Sequence, residues 1–238
     1  RRRGRPGLAR GRPGRDPHSP GQAEEVRPEI SWNTEAGFRA DMGERHAEVV
    51  GFFNDYKNLT GQCTFSGGCD SDNVDQQFNG GAVYVWGAEV VLGDRFRLPG
   101  ELSMPATLTY GWTQSRFQTS FDSAFPQFGQ VSVGDSLPYV PRHQASGRLG
   151  LEHPRGGLTG GVTWRSGLLD SAGRFDDGAE LPPLLLVDAA LHVQVHPRLE
   201  LYATGTNLTR STAVTSLRPF GARPTAPLQV MVGVKGGS

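Results

Sequence analysis

From Ile30 to Lys235 the chain repeats one pattern, with polar and apolar side chains alternating every second residue in segment after segment. In Leu185–His196 the odd positions are Leu185, Val187, Ala189, Leu191, Val193 and Val195, and Asp188, His192, Gln194 and His196 fall between them. Successive side chains of a strand point to opposite faces, so this spelling gives one greasy face and one wet face. Leu102, Met104, Ala106, Leu108, Tyr110 and Trp112 alternate in the same way with Ser103, Thr107, Thr109 and Thr113. Leu228, Val230, Val232 and Val234 do so near the end, Trp32, Ala36 and Phe38 near the beginning, and Tyr84, Trp86, Ala88, Val90 and Leu92 between. With His46–Asn58, His143–His153, Leu158–Leu168 and Leu199–Asn207 the chain offers nine candidate strands. No window of comparable length keeps a helical period, so the expected fold is all-β.

The connections sort by length. Asp41–Arg45, Gly93–Glu101, Pro154–Gly157 and Pro197–Arg198 are short, whereas Leu59–Gly80, Gln114–Arg142, Leu169–Leu184 and Thr209–Pro227 are long. Short and long alternate strictly. An up-and-down membrane barrel has this asymmetry of tight periplasmic turns and long extracellular loops. A secreted or periplasmic β-sandwich used for binding or adhesion is the competing reading, but it has no physical reason to gather its long loops at one end. Trp32, Tyr84, Trp86, Tyr110, Trp112 and Trp164 fall on the apolar faces, often near the long-loop end, as an interfacial girdle would.

Composition fits a barrel better than a large aliphatic core. The hydrophobic fraction is 36% with 33 glycines, below the usual share of about 45–50%. No run of 18 or more apolar residues occurs, so an ordinary transmembrane helix is not expected, but a membrane strand needs only about 9–11 residues with one apolar face. The formal net charge is zero, which gives no field that would attract nucleic acid.

Residues 1–25 differ from 26–238. Arg1, Arg2, Arg3, Arg5, Arg10, Arg12 and Arg15 are interleaved with Gly and Pro, and only Leu8 offers a side chain to bury. Such a stretch cannot offset its ordering entropy and is expected to be a disordered tail, of artefactual origin or a flexible leader. No apolar core of a signal peptide follows the opening arginines, so the true N-terminus is missing or the protein stays where it is made. Nine strands are also an odd number, whereas bacterial single-chain barrels have an even number and both termini in the periplasm. An open edge of unpaired backbone is not tolerated in lipid, so the chain is expected to be an incomplete barrel that aggregates outside a membrane.

Several segments, in order, resemble the C-terminal barrel region of TonB-dependent siderophore receptors, especially ferric citrate receptors. They are Val26–Arg39, Ala47–Leu59, Phe78–Gly81 with Gly87–Glu89, Gly134–Gln144, and Leu201–Leu208. The resemblance covers about Val26 to Lys235 and implies that these strands are the last nine of a barrel of about 22 strands around a plug. It implies an outer-membrane protein surrounded by lipid, a ferric siderophore as transported ligand with no cofactor, and energy from TonB–ExbB–ExbD acting through an N-terminal region not seen here. The usual final aromatic residue is replaced by Val234-Lys-Gly-Gly-Ser. Without plug, TonB-box and the earlier strands, this chain alone is not expected to transport.

An anionic ferric chelate of that kind calls for Arg, Gln and aromatic side chains in the loops and upper lumen, because bidentate Arg suits carboxylates. The candidates are Gln76, Gln77, Arg116, Arg174, Arg218 and Arg223. Cys63 and Cys69 lie in the first long loop with Gly67 and Gly68 between them. A disulfide is expected there because extracellular thiols oxidise, and a metal pair is the alternative, with no His or further Cys nearby to complete it. The six His residues form no ligand spacing, Asp176, Asp177 and Glu180 read as an exposed acidic loop, and no nucleotide or nucleophile-elbow motif appears. An enzyme is not expected.

Overall fold

The computed structural model describes residues 28–62, 77–123, 125–175, 180–218 and 221–237. The tail 1–25, Gln76, Asp176, Asp177 and the Cys63–Cys69 pair therefore lie outside the described residues, whereas Glu180 lies within β12.

The described residues are all-β. In chain order the strands are β1 (Ile30–Met42), β2 (Arg45–Lys57), β3 (Thr60–Gln62), β4 (Gln77–Asn79), β5 (Val83–Leu98), β6 (Leu102–Phe117), β7 (Phe121–Asp122) and β8 (Gln130–Val131). After these come β9 (His143–His153), β10 (Gly156–Arg165), β11 (Leu168–Leu169), β12 (Glu180–Leu181), β13 (Leu184–His196), β14 (Leu199–Thr206), β15 (Val214–Ser216), β16 (Arg223–Pro224) and β17 (Gln229–Gly236). Nine of them form one sheet in the order β1-β2-β5-β6-β9-β10-β13-β14-β17, each neighbour antiparallel. This is a meander, and β1 and β17 are its edges. The remaining strands pair off within the long connections, as β3-β4, β7-β8, β11-β12 and β15-β16.

Register carries the period-two pattern across the whole sheet, since directly opposed residues share a face. Ala36, Gly51, Ala88, Trp112 and His143 stand opposite one another in successive strands. So do Leu158, Leu191, Ala203 and Val232. Every apolar row found in the sequence thus lands on one continuous face. That face is bare: Trp32 is 71% exposed and Val232 75% exposed. A sandwich would cover it with a second sheet, and no such sheet exists among the described residues. Along the eight pairings of the large sheet, one irregularity interrupts the register, a bulge between Gln194 and His196 in β13.

The opposite face is polar and carries ion pairs toward the short-turn end. Arg39 meets Glu48 at 2.6 Å, and Arg95 spans β6 to reach Glu152 at 2.6 Å. Arg97 hydrogen-bonds Glu44 in the β1–β2 turn through Nε at 3.1 Å, which holds the Glu44 carboxyl below its ordinary range. These pairs explain why β5 runs on to Leu98 and shortens the expected connection 93–101 to a turn at 99–101. The turn keeps Gly100 and Glu101 at positive φ.

At the long-loop end, Val83, Phe117, Phe125, Phe128 and Val131 form a buried cluster joined by Tyr56, Val85 and Phe121. Tyr56, Val83, Val85 and Phe117 all root on the polar face. The loop between β6 and β9 therefore folds inward over that face, with Phe117 edge-on to Phe128 at 6.3 Å. Val83 and Phe117 are fully buried, so the tightest packing among the described residues fixes this loop against the sheet.

Candidate ligand-binding site at the long-loop end

Local chemistry sets each loop where it leaves its strand. Asn58 after β2 and Asn207 after β14 both adopt left-handed backbone, φ 61° and 50°, and each is followed by Leu. Asn tolerates this region better than most residues because its short amide bonds locally. Leu59 then donates its backbone N–H to Gly81 at 2.8 Å, and Leu208 donates to Val187 at 2.7 Å. Asn207 is 5% exposed. Its Nδ2 donates to the carbonyls of Ser211 (2.9 Å) and Ala226 (2.7 Å), and its Oδ1 accepts from Ser211 N–H (2.8 Å). One side chain thus ties both ends of the last loop.

The loops are also tied to one another. Tyr139, between β6 and β9, donates its hydroxyl to Asp170 Oδ1, between β11 and β12. Arg218, between β15 and β16, pairs with the other oxygen of Asp170 at 3.1 Å. Burial, reinforced by the Asp170 carboxylate, raises the Tyr139 phenol above its ordinary value. Ser136 donates its N–H to Gly173 at 2.7 Å, and Ala172 donates to Gln127 at 2.8 Å.

Beside this junction lies a cavity of about 330 Å³ lined by Arg116, Gly134, Ser136, Arg142, Arg174 and Phe175. Arg142 lies over the Phe175 ring, 3.9 Å from its centroid, and its buried Nε has no hydrogen-bond partner among the described residues. Arg174 approaches Asp135 at 3.6 Å. Arg116 roots opposite Tyr84, on the apolar face, with its guanidinium 6.0 Å from the Trp86 ring centroid. Stacked, weakly hydrated guanidinium groups suit oxyanions.

The structure therefore brings Arg116 and Arg174 of the sequence candidates to one cavity. Arg218 stands apart at Asp170, Arg223 is exposed in β16, and Gln77 opens β4 opposite Gln62. Sequence reasoning missed Arg142, although the run Leu137-Pro-Tyr-Val-Pro-Arg142 that carries it stood out. It also missed the Tyr139–Asp170 tie, for which Asp170 offers no local signal. Among the described residues no three His, Cys, Asp or Glu gather as a metal site.

Comparison with known proteins fits this architecture. Residues 4–208 match the family described as TonB dependent receptor-like, beta-barrel. No curated protein sequence matches. Among solved structures, the siderophore receptor PiuA from Acinetobacter baumannii aligns with TM-score 0.65 at 15% identity, over 87% of this chain and 28% of that one. The ferric-catecholate import receptor Fiu from Escherichia coli K12 aligns with TM-score 0.63 at 15% identity, over 89% of this chain and 28% of that one. The pyoverdine outer membrane receptor FpvA from Pseudomonas aeruginosa aligns with TM-score 0.63 at 14% identity, over 90% and 30%. The chain spans less than a third of each of these proteins. With its antiparallel meander, its bare apolar face and its long loops at one end, this chain belongs to the TonB-dependent receptor β-barrel family of the outer membrane.

Proposed function

We propose that this chain forms the C-terminal wall of an outer-membrane receptor that takes up an anionic ferric chelate, citrate-like in its carboxylates. The observation that carries this reading is the arginine-bearing loop junction, roofed over the polar face by the Phe117–Phe128 cluster. Arg174, Arg218 and Arg223, with Gln76 and Gln77 of the first long loop, are the side chains that contact the chelate. Arg116 stands at the same end but roots on the other face. Cys63 and Cys69 form a disulfide that closes the tip of the first loop. The chelate is cargo and no cofactor takes part. Energy comes from TonB–ExbB–ExbD through parts of the receptor beyond this chain, so the chain by itself does not transport.

The chemistry supports the reading at the level of charge. A guanidinium binds a carboxylate through two parallel N–H donors, and each such pair is about twice as strong as a neutral hydrogen bond. The test is uptake of radioactive iron by cells carrying the receptor that contains this wall, with Arg174→Ala and Arg218→Ala singly and together. Ferric citrate uptake should fall at least about tenfold in the double variant, with uptake of a neutral hydroxamate chelate unchanged. Equal loss for both chelates would mean that these arginines shape the loops and do not read charge.

A further inference from the structure

One of the arginines assigned to the chelate is already taken. Arg218 Nη2 stands 3.1 Å from Asp170 Oδ2, with both side chains mostly buried. An incoming oxyanion therefore meets this guanidinium with a carboxylate in place. Arg174 is freer, since its contact with Asp135 is 3.6 Å and its side chain is mostly exposed.

The occupied contact is half made. An arginine fork is filled when a carboxylate offers both oxygens to two parallel N–H donors. Asp170 gives Arg218 only Oδ2, because Oδ1 accepts the Tyr139 hydroxyl. Arg218 Nε is buried and has no hydrogen-bond partner among the described residues. Asp170 is also held against turning further. Tyr139 donates its N–H to the carbonyl of Leu169, the residue before Asp170, at 2.8 Å. Tyr139 keeps φ at 58° to do so, a left-handed backbone that is strained for a bulky residue. Asp170 is thus clamped through backbone and side chain in a pose that leaves one donor of Arg218 unmet. A carboxylate brought by a ligand can meet both.

We propose that Asp170 is a resident stand-in for a ligand carboxylate and sets the threshold an anion must pass, so that the chelate gains Arg218 only by displacing Asp170. This exchange rests on the reading of Arg218 as a chelate contact and adds the selection that precedes it. A chelate with several carboxylates can seat one at Arg174, four residues along the same loop as Asp170. The others are then held close at high effective concentration. A small single anion has no such anchorage and loses to the tethered Asp170. The site is thereby built against small oxyanions as well as for the chelate.

The test is calorimetric titration of the detergent-extracted receptor containing this wall with ferric citrate. Arg218→Ala should weaken binding and Asp170→Asn should tighten it, each by at least about threefold. A carboxylate that only shaped the loops would give the opposite sign for Asp170→Asn. In the Arg218→Ala background the Asp170 substitution should no longer tighten binding, because the two side chains act through one contact. Millimolar inorganic phosphate should weaken ferric citrate binding more in Asp170→Asn than in the unaltered receptor. Heat-modifiable gel migration reports whether each variant is folded, and Asp170→Ser removes the charge by a second route. Weaker or unchanged binding in the folded Asp170 variants overturns the proposal. So does equal tightening with Arg218 removed, and so does equal sensitivity to phosphate. If Arg218→Ala leaves ferric citrate binding unchanged, the chelate reading of Arg218 falls together with the stand-in. If Arg218→Ala weakens binding and neither Asp170 variant tightens it, the stand-in alone falls.

Discussion

Arg218 reaches from the last long loop to Asp170 in the loop before it, nitrogen to oxygen 3.1 Å, with the two side chains 23% and 14% exposed. Asp170 also accepts the Tyr139 hydroxyl from a third loop, so one carboxylate joins three connections that are far apart in sequence. Asp170→Asn leaves the Arg218 guanidinium without its charge partner in a half-buried place. We expect a loss of about 1–3 kcal/mol, concentrated in the loops. Limited proteolysis of the membrane-embedded receptor should show new cleavage between 166 and 183 while the strands stay protected. Unchanged cleavage would remove Asp170 from this role.

The same junction has a pH signature. Burial and the Asp170 carboxylate both favour the neutral Tyr139 phenol, so its folded value lies above its unfolded one. Its stabilising contribution is then full below the ordinary tyrosine value of about 10 and is lost as pH rises through the higher folded value. Loop protection should fall off in that alkaline range, and Tyr139→Phe should flatten the dependence. Absorbance titration of the phenols would show one late-titrating group missing in the variant.

Asn207 meets three requirements with one residue: left-handed backbone, two carbonyls to bond and an N–H to accept. Asn207→Ala fails all three and should cost about 2–4 kcal/mol, from the orphaned groups and the backbone strain. Asn207→Gly relieves the strain alone and should recover only about 1 kcal/mol of this. Thermal unfolding in detergent, read as the temperature at which gel migration changes, separates the two.

Facing is testable near the middle of β13. Leu191→Arg puts a charge on the apolar face and should cost about 2–4 kcal/mol in a bilayer. Ala190→Arg, one residue away, faces the polar side and should cost less than about 1 kcal/mol. Folding yields into lipid vesicles over a urea series give the comparison, and equal costs would contradict the register.

Two glycines in the sheet should differ sharply. A Cβ at Gly87 would sit 2.0 Å from the Trp112 carbonyl oxygen and 2.8 Å from the Phe52 ring, whereas a Cβ at Gly160 meets nothing within 4 Å. Gly87→Ala should therefore disturb the β5–β6 pairing by about 1–3 kcal/mol. Gly160→Ala should be close to neutral in the same unfolding assay.

The sheet was nearly all legible in the sequence, and the site was not. Period two is a local property, so Leu185–His196 announces both strand and facing by itself, and β9 begins and ends where the pattern does. Strand ends are less local. β5 outruns its apolar pattern where Arg95 finds Glu152 on β9 and Arg97 finds Glu44 in the β1–β2 turn. The loop junction depends on pairs such as Tyr139 and Asp170, 31 residues apart, and no spacing rule links them. Composition could suggest that Arg116 and Arg174 bind anions, but only register could place Arg116 on the lipid side.

Because successive side chains of a strand take opposite faces, each strand behaves like a message read in a fixed frame. One residue deleted inside β10 would turn over every side chain on one side of the gap, lipid side to water, and set that half out of step with β9 and β13. The long connection between Arg165 and Leu184 would take up the offset, so β13, β14 and β17 would keep their facing. The bulge at Val195 is the one place along the nine strands where an extra residue is absorbed without shifting the strands beyond it. It lies a step from the short turn into β14, where a miscount is closed off before it can spread.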